Sequence, residues 1–577
     1  MTRHSVYLSI VFPGLFFLVL TSSFSCSSGI EPDLVLMNGK IVTVDPKNPI
    51  VEALAVQNRR IAWTGSNKAV KSLVGPGTKL IDLGGRLAIP GFIEGHAHFS
   101  GIGEARLRLD LTKAASWDEI VEMVRLEVEK RPGGEWILGR GWHQEKWQSI
   151  PRPSIGGLPL HDSLSRVSPQ NPVLLTHASG HAVFANANAM KVAGVGPNTF
   201  DPPGGEIVRD LQGNPIGVFR ETAADLFSRA LGGDLAAEDP KKREAHMRKV
   251  IQLASHECLS NGITSFHDAG ASFEFAGLLK TMAQSGELPL RLYVMLNESN
   301  SNLEQKLSEY RWVGLGGNRL TVRSIKRFID GALGAHGAWL LDPYEDMDSS
   351  VGLNTTSLDS LARTAELAIQ NDFQLCVHAI GDRANREILN IFERTFQSLP
   401  DKTDLRWRIE HAQHLAAQDI PRFAQLGVIA AMQPIHATSD APWVIRRLGE
   451  SRAQEGAYVW RKLLDSGAVV ASGTDAPVED IDPIRNFYAA VSRRMKDGNS
   501  FYPDQCMSRE EALRSLTLAC AYAAFEEKEK GSLTPGKLAD ITVLSRDIMT
   551  VPSAEILQTN VVYTIVDGEV AYSSKLQ

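Results

Sequence analysis

The sequence is poor in cysteine and has no large excess of charge of either sign. Apart from Cys26, four cysteines are scattered without a C-x-x-C pair, so neither a disulfide framework nor a zinc knuckle is indicated. The net charge of -7 is mild for 577 residues and gives no reason to expect a nucleic acid partner. With 43% hydrophobic and 22% charged residues, the composition is that of an ordinary globular protein, and its length suggests more than one compact unit.

The N-terminal apolar run is too short to indicate a membrane-spanning helix clearly. It covers residues 6–20 and contains Pro13-Gly14. A positive start before it and small polar residues after it predict an export signal over residues 1–26. Cys26 lies where a bacterial lipoprotein would be cleaved and acylated, but residues 23–25 (SFS) match the usual preceding sequence poorly. We expect export to the periplasm or cell exterior, with a lipid anchor at Cys26 or an uncleaved anchor as alternatives.

Both ends of the remaining chain carry β patterns that are too small to form cores of their own. One hairpin is predicted around Asn38-Gly39, because Asn-Gly accepts the positive φ of a tight turn. A second hairpin is predicted around Asp567-Gly568. We therefore expect residues 31–86 and 531–577 to pair into one composite β-sandwich.

Between these ends, strand patterns alternate with helical patterns such as residues 357–370 and 383–396. Together with a first strand at residues 87–98, there are eight strands. Repeated βα units predict a parallel sheet, and eight of them predict an α/β fold with a (β/α)8 TIM-type barrel, here over residues 87–530. The later strands are predicted at residues 263–267, 290–296, 324–329, 374–379, 406–411, 428–432 and 469–472.

The stretch from about residue 101 to 261 does not fit the repeat and forms a large insertion after the first strand. It is either a subdomain without a role in the chemistry or a lid over the barrel mouth. We favour a lid that helps to form a substrate pocket, because insertions at the carboxyl ends of barrel strands lie where barrel enzymes carry out their chemistry.

Candidate metal ligands lie at the ends of five predicted strands. His96 and His98 are two residues apart on a strand, so both imidazoles point to one face and can bind a metal. Such a pair alone is more often structural. Four later strand ends also carry possible metal-binding residues, which favours a metal site: Lys326, His378, His411 and Asp475.

The motifs around these residues are residues 90–98 (PGFIEGHAH), 326–334 (KRFIDGALG), 377–382 (VHAIGD), 410–413 (EHAQ), 473–477 (GTDAP) and 536–540 (GKLAD). Together they resemble the amidohydrolase superfamily of metal-dependent hydrolases, and within it the branch of the N-substituted formamide deformylases. The resemblance spans roughly residues 33 to 575. It is specific for the family and weak for the substrate.

The resemblance implies a two-metal site with Zn²⁺, or another divalent metal, bound by imidazole and hard oxygen ligands. The implied ligands are His96, His98 and Asp475 for one metal, and His378 and His411 for the second. Lys326 would bridge both metals if carbon dioxide carboxylates its amine, since a carbamate supplies two anionic oxygens and an ammonium supplies none. With an unmodified Lys326, a mononuclear site is expected, and the lysine would act by charge or hydrogen bonding.

The implied reaction is hydrolysis of a carbon–nitrogen bond in a small amide, such as an N-formyl or N-acyl amine. A metal lowers the pKa of its bound water to about 7, which makes hydroxide available. Asp475 is expected to take its proton and to pass one to the leaving nitrogen. His181, in the insertion, either donates to the developing oxyanion or is structural. Glu94 shares the strand face of His96 and is expected to orient a ligand.

Further polar and aromatic residues follow the middle strands of the predicted barrel and are candidates for holding the substrate. They are Asp330, Trp339, Arg383, His414, Gln433 and His436. The alternatives for the whole protein are a metal-dependent esterase or lactonase, an isomerase or decarboxylase, or a non-catalytic scaffold that has lost its metal. Because all six ligand positions are filled, the scaffold is disfavoured. The resemblance also makes a homodimer plausible.

Overall fold

The computed structural model describes residues 1–2, 31–144, 147–178, 182–202, 205–227, 230–231, 239–334, 336–398 and 404–574. Most of the predicted export signal, with Cys26, and the candidate His181 lie outside these stretches. Among the described residues, no helix is both long and apolar enough to cross a membrane. Export, lipid attachment and dimerisation remain predictions.

Eight parallel strands form the barrel, and each is hydrogen-bonded to the next along the chain. The first and last strands meet, because Asp475 N donates to the His96 carbonyl at 2.8 Å and His98 N donates to the Ala476 carbonyl at 2.8 Å. The predicted TIM-type barrel is therefore confirmed. Its strands are β1 (Phe92–Ala97), β2 (Ile263–Ala271), β3 (Arg291–Leu296), β4 (Leu320–Phe328), β5 (Gln374–Ala379), β6 (Arg408–His411), β7 (Ile429–Met432) and β8 (Val470–Ser472).

Helices cover the outside of the barrel, which explains why its strands are apolar along most of their length. In the helix Asp382–Gln397, for example, the buried face carries Ile388, Leu389 and Phe392, while charged residues cover the other face. From residue 240 onward, the described helices of six or more residues are Pro240–Ser260, Phe273–Gln284, Asn300–Lys306, Leu358–Gln370, Asp382–Gln397, Ile420–Leu426, Pro434–Leu448, Glu450–Gly456, Trp460–Asp465, Pro483–Ser492, Arg509–Ser515 and Leu518–Ala523.

Two further sheets contain strands from the chain termini and share one apolar core. In the four-stranded sheet the order is Arg60–Gly65, Ala53–Gln57, Leu34–Met37 and Lys79–Asp82. In the six-stranded sheet the order is Glu569–Ser573, Val561–Val566, Ile541–Leu544, Leu87–Pro90, Lys40–Val42 and Ile50–Val51. Strands from both ends of the chain therefore lie side by side in the larger sheet.

The hairpin predicted at Asn38-Gly39 is wrong. Asn38 does adopt a positive φ of 60°, but the strands on its two sides, Leu34–Met37 and Lys40–Val42, belong to different sheets. The turn carries the chain from one sheet to the other. In contrast, the hairpin at Asp567-Gly568 is confirmed by the antiparallel pairing of the strands that flank it.

The strand predicted at residues 87–98 is two strands. Leu87–Pro90 pairs antiparallel with Ile541–Leu544 in the terminal sheet, whereas the barrel begins at Phe92. The chain changes sheets at Gly91, where a Cβ would overlap the side chain of Thr264. The Pro-Gly break in the sequence therefore marks the boundary between the two sheets.

The insertion folds around two apolar cores of its own. Its six-stranded sheet has the order Gly205–Arg209, Pro215–Glu221, Ala182–Ala185, Val173–His177, Ile137–Trp142 and Leu109–Asp110. Between its first and last described strands, the described helices are Trp117–Val128, Asp162–Val167 and Ala187–Val192. The helix Phe99–Leu107 leads from β1 into this subdomain and starts directly after His98. The role of the insertion as a lid remains a prediction.

Candidate metal centre

The six predicted ligands lie in β1 or directly after it, in β4, β5 and β6, and in the loop after β8. Five of them lie within a few ångströms of one another. Asp475 Oδ1 lies 3.2 Å from His98 Nε2 and 3.6 Å from His96 Nε2. The ring of His411 lies 4.8 Å from that of His96 and 4.5 Å from that of His378, measured between centroids. These side chains therefore converge at the carboxyl ends of the barrel strands.

Lys326 and His378 share an aromatic neighbour. The ring of Phe328, at the end of β4, lies 4.7 Å from Lys326 Nζ and 5.4 Å from the ring of His378. The charge of Lys326 also acts on His96, His378 and His411, so the sixth predicted ligand belongs to the same cluster.

Several buried polar atoms of this cluster have no hydrogen-bond partner among the described residues. They are His96 Nε2, His378 Nε2 and Lys326 Nζ. Asp475 Oδ1, in the same cluster, accepts a hydrogen bond from His98 Nε2. Unpartnered buried polar atoms are rare because burial without a partner is unfavourable. Imidazole nitrogens and a carboxylate oxygen are the atoms that bind divalent metals, so this donor set fits a cation of the Zn²⁺ type.

The protonation states of the cluster also suit a cation. Burial, followed by the positive charge of the nearby Lys326, lowers the pKa of His96 to about 4 and that of His378 to about 3. Both imidazoles are therefore neutral at pH 7, which is the form that binds metals. Burial alone would raise the pKa of Asp475, but the hydrogen bond from His98 and the other nearby histidines hold it well below its usual range, so the carboxylate is ionised.

Glu410 fixes the orientation of His96, and the sequence did not single it out. Its carboxylate accepts the proton of His96 Nδ1, which leaves Nε2 to face the centre. The buried Arg408 holds Glu410 in place, with Nε at 2.7 Å from Oε1 and Nη2 at 3.0 Å from Oε2. Burial raises the pKa of Glu410, but Arg408 and His96 outweigh this and lower it to about 2. The signal in the sequence was its place immediately before His411.

Gln433, predicted as a substrate contact, is hydrogen-bonded to a ligand candidate. Its side-chain oxygen lies 2.7 Å from His411 Nδ1, and its side-chain nitrogen donates to the Ala431 carbonyl at 3.1 Å. The structure therefore places Gln433 behind His411, where it fixes the ring. His436 lies closer to the centre, with Nε2 at 4.0 Å from Asp475 Oδ2.

Glu94 connects the two strands that close the barrel. Its Oε1 accepts from Thr474 N at 2.7 Å and from His96 N at 3.1 Å, and its Oε2 accepts from Thr474 Oγ1 at 2.9 Å. A Cβ on Gly473 would overlap Glu94 and the His96 backbone, so this close approach requires glycine. Glu94 therefore orients the backbone that carries His96 and Asp475.

Two ligand candidates have unusual backbone conformations. His411 has a φ of 76° and Asp475 a φ of 61°. Non-glycine residues with positive φ are uncommon and cluster at functional sites, where the surrounding structure maintains them.

Asp268, at the end of β2, is a residue of this site that sequence reasoning missed. It is buried, and its Oδ1 accepts from Phe99 N at 3.1 Å, directly after His98 in the chain. Its Oδ2 has no partner among the described residues. The predicted strand ended one residue earlier, at His267, so the aspartate was not counted among the strand ends.

The remaining candidates surround the loops after β4 and β5. Asp330 accepts three backbone N–H groups and lies 3.5 Å from His378 Nε2. The guanidinium of Arg383 lies over the ring of Trp339, 4.7 Å from its centroid. His414 is buried against Tyr458 at a ring distance of 5.4 Å, and burial lowers its pKa to about 3.

A (β/α)8 barrel with histidines, a lysine and an aspartate converging at the ends of its strands is the architecture of a metal-dependent hydrolase. The chain belongs to the amidohydrolase family, whose sequence model matches residues 79–572.

Known relatives cover nearly the whole chain. "Protein LONG AFTER FAR-RED 3" of Arabidopsis thaliana is 34% identical over 94% of this chain and 92% of its own length. "N-substituted formamide deformylase" of Arthrobacter pascens is 28% identical over 94% of this chain and 98% of its own length. The crystal structure of an uncharacterized metal-dependent hydrolase from Pyrococcus horikoshii OT3 matches with a TM-score of 0.73 and 26% identity, covering 90% of this chain and 99% of its own.

Proposed function

We propose that the protein hydrolyses the carbon–nitrogen bond of a small amide, such as an N-formyl or N-acyl amine. The observation that carries this proposal is the set of buried, unpartnered donor atoms gathered around Asp475 at the barrel mouth. The similarity to a protein named as an N-substituted formamide deformylase makes formamides the first amides to test.

In this proposal His96, His98 and Asp475 hold one Zn²⁺, and His378 and His411 hold a second. When bound, the cations supply a water of lowered pKa and polarise the carbonyl of the amide. Lys326, once its amine has reacted with carbon dioxide, would supply carbamate oxygens to both sites. Two features support this: its amine is buried without a hydrogen-bond partner, and burial lowers its pKa, which favours the neutral amine that reacts with carbon dioxide.

Asp475 is the proposed proton carrier. Its carboxylate is ionised, so it can accept the proton of the attacking water and return one to the leaving nitrogen. His436 faces its second oxygen and is positioned to orient it. His181 is the proposed donor to the developing oxyanion.

The test begins with the metal content of the purified protein, measured by elemental analysis. About two metals per chain support the bridged site, about one supports an unmodified Lys326, and none supports a scaffold. The protein is then assayed on N-formyl amines, N-acyl amines, cyclic amides and esters, with a chelator-treated sample as the control. Hydrolysis of amides that is lost with the metal supports the proposal. Hydrolysis of esters alone would overturn it.

A further inference from the structure

Trp339 and Arg383 form a platform at the barrel mouth. Trp339 lies in the loop after β4, and Arg383 lies just after β5, at the same end of the barrel as the candidate metal centre. The guanidinium carbon of Arg383 is 4.7 Å from the centre of the Trp339 ring, and both residues are half-buried. A guanidinium stacked on an indole is held in a defined plane, and the N–H groups at its edge stay available.

Several hydrogen bonds join the loop that carries Trp339 to the loop before Arg383, and they hold the two side chains of the platform in place. The Asp330 carboxylate accepts from Trp339 N at 2.9 Å, Ile380 N at 3.0 Å and Gly381 N at 2.8 Å. Ala384 N also donates to the Trp339 carbonyl at 3.2 Å. A Cβ on Gly381 would overlap the Trp339 backbone, so the loops approach as closely as glycine permits.

Asp330, which joins these loops, also lies next to the candidate metal centre. Asp330 Oδ1 accepts a hydrogen bond from Ile380 N, in the loop before Arg383, and lies 3.5 Å from His378 Nε2. Asp330 is thus a positioning residue that connects the platform to a ligand. Asp330 was predicted from the sequence to contact the substrate, but in the structure its carboxylate accepts hydrogen bonds from the backbone of these loops.

Arg383 has no hydrogen bond or ion pair from its side chain among the described residues. Arg386, one turn later in the same helix, shows the ordinary case, since its Nε donates to Asp419 at 2.8 Å. Arg383 also lies in the first turn of the helix Asp382–Gln397, where the helix dipole disfavours a cation. Its position is therefore a poor one for helix stability and a good one for binding an anion.

We propose that Arg383, held on Trp339, binds a carboxylate of the substrate, so the preferred substrates are amides that also carry a carboxylate, such as N-acylated amino acids. The planar guanidinium edge matches the two oxygens of a carboxylate. The identification of the substrate as an amide rests on the proposed function above. The binding of a carboxylate by Arg383 on Trp339 does not depend on the proposed function.

Two amides that differ only in a carboxylate test the proposal: N-formylphenylalanine and N-formyl-2-phenylethylamine. We compare the ratio of their kcat/KM values in the wild type and in Arg383→Gln, Arg383→Lys and Arg394→Gln. Arg394 is the matched control, because it is exposed in the last turn of the same helix. The wild type should prefer the acid, and Arg383→Gln should lower the ratio by about tenfold to a hundredfold, mainly through KM of the acid. Arg383→Lys should lie between, and Arg394→Gln should keep the ratio.

Calorimetry with N-formylphenylalanine on chelator-treated protein measures binding of the carboxylate independently of hydrolysis. Binding to the wild type that is lost in Arg383→Gln supports the platform, even if neither amide is hydrolysed and the proposed reaction fails. Equal hydrolysis of both amides, with a ratio that Arg383→Gln leaves unchanged, would overturn the platform while amide hydrolysis stands. If neither hydrolysis nor Arg383-dependent binding is observed, both proposals fail.

Discussion

The two ends of the barrel bury charged groups in opposite ways. At the amino-terminal end, Arg291 Nε and Nη2 donate to Asp540 at 2.7 and 2.8 Å, and Arg319 Nη2 donates to Asp567 at 2.7 Å. Arg291 also contacts Asp567, so each of these four buried or half-buried charges has a partner. At the carboxyl-terminal end, the equally buried Lys326 Nζ and the Nε2 atoms of His96 and His378 have none among the described residues.

Burial alone therefore does not identify the functional end. The paired charges at the amino-terminal end join β3 and the chain near β4 to the C-terminal strands of the composite sheet, which is a structural task. The unpartnered atoms at the other end are tolerable only if something outside the chain binds them. Variants at the two ends should accordingly separate stability from activity.

The largest effect is expected for Asp475→Asn at the carboxyl-terminal end. Asparagine keeps the size and one oxygen but cannot accept a proton, so kcat should fall by about 10²- to 10⁴-fold while most of the metal is kept. Steady-state kinetics and metal analysis measure both. The control is Asp480→Asn, an exposed aspartate paired with Arg485. Near wild-type turnover at intact metal content would contradict the role of Asp475.

Arg291→Met, at the amino-terminal end, should have the opposite profile. It leaves Asp540 buried without its arginine partner and removes one of the arginines that contact Asp567, so the free energy of unfolding should fall by about 3–5 kcal/mol. Metal content and kcat of the folded protein should stay close to wild type. Denaturant unfolding measures the loss, and Arg125→Met is the control, because the ion pairs of Arg125 are exposed and contribute little to stability. A loss of activity without a loss of stability would reverse the distinction between the ends.

Gln433→Leu tests whether a residue that contacts a candidate ligand contributes to metal affinity. Because Gln433 contacts His411 Nδ1, its loss should weaken metal binding by about tenfold to a hundredfold, with little change in stability. Titration with a competing chelator measures this affinity. Unchanged metal affinity together with a raised KM would instead support the substrate contact predicted from the sequence.

The sequence predicted those features that depend on local pattern and on the geometry of parallel strands. His378, His411 and Asp475 were found because the carboxyl ends of barrel strands meet at one face. The bond between His96 and Glu410 joins residues 314 positions apart and has no local signal. The turn at Asn38 was correctly placed, but turn chemistry does not specify which strands pair across it.

The smallest expected effect is the pH dependence of the stability that Asp540 contributes at the amino-terminal end of the barrel. Burial raises the pKa of Asp540, but Arg291 and its hydrogen bonds outweigh this and hold the pKa below its ordinary value. A carboxylate with a lowered folded-state pKa stabilises the fold above its unfolded pKa of about 3.9, and this contribution is lost as the pH falls through the folded-state pKa. The unfolding free energies of the wild type and Asp540→Asn should therefore differ fully at about pH 6 and less at about pH 3. Because protonation makes the wild type resemble the variant, a difference that stays constant across this range would show that Asp540 is not ionised in the folded protein.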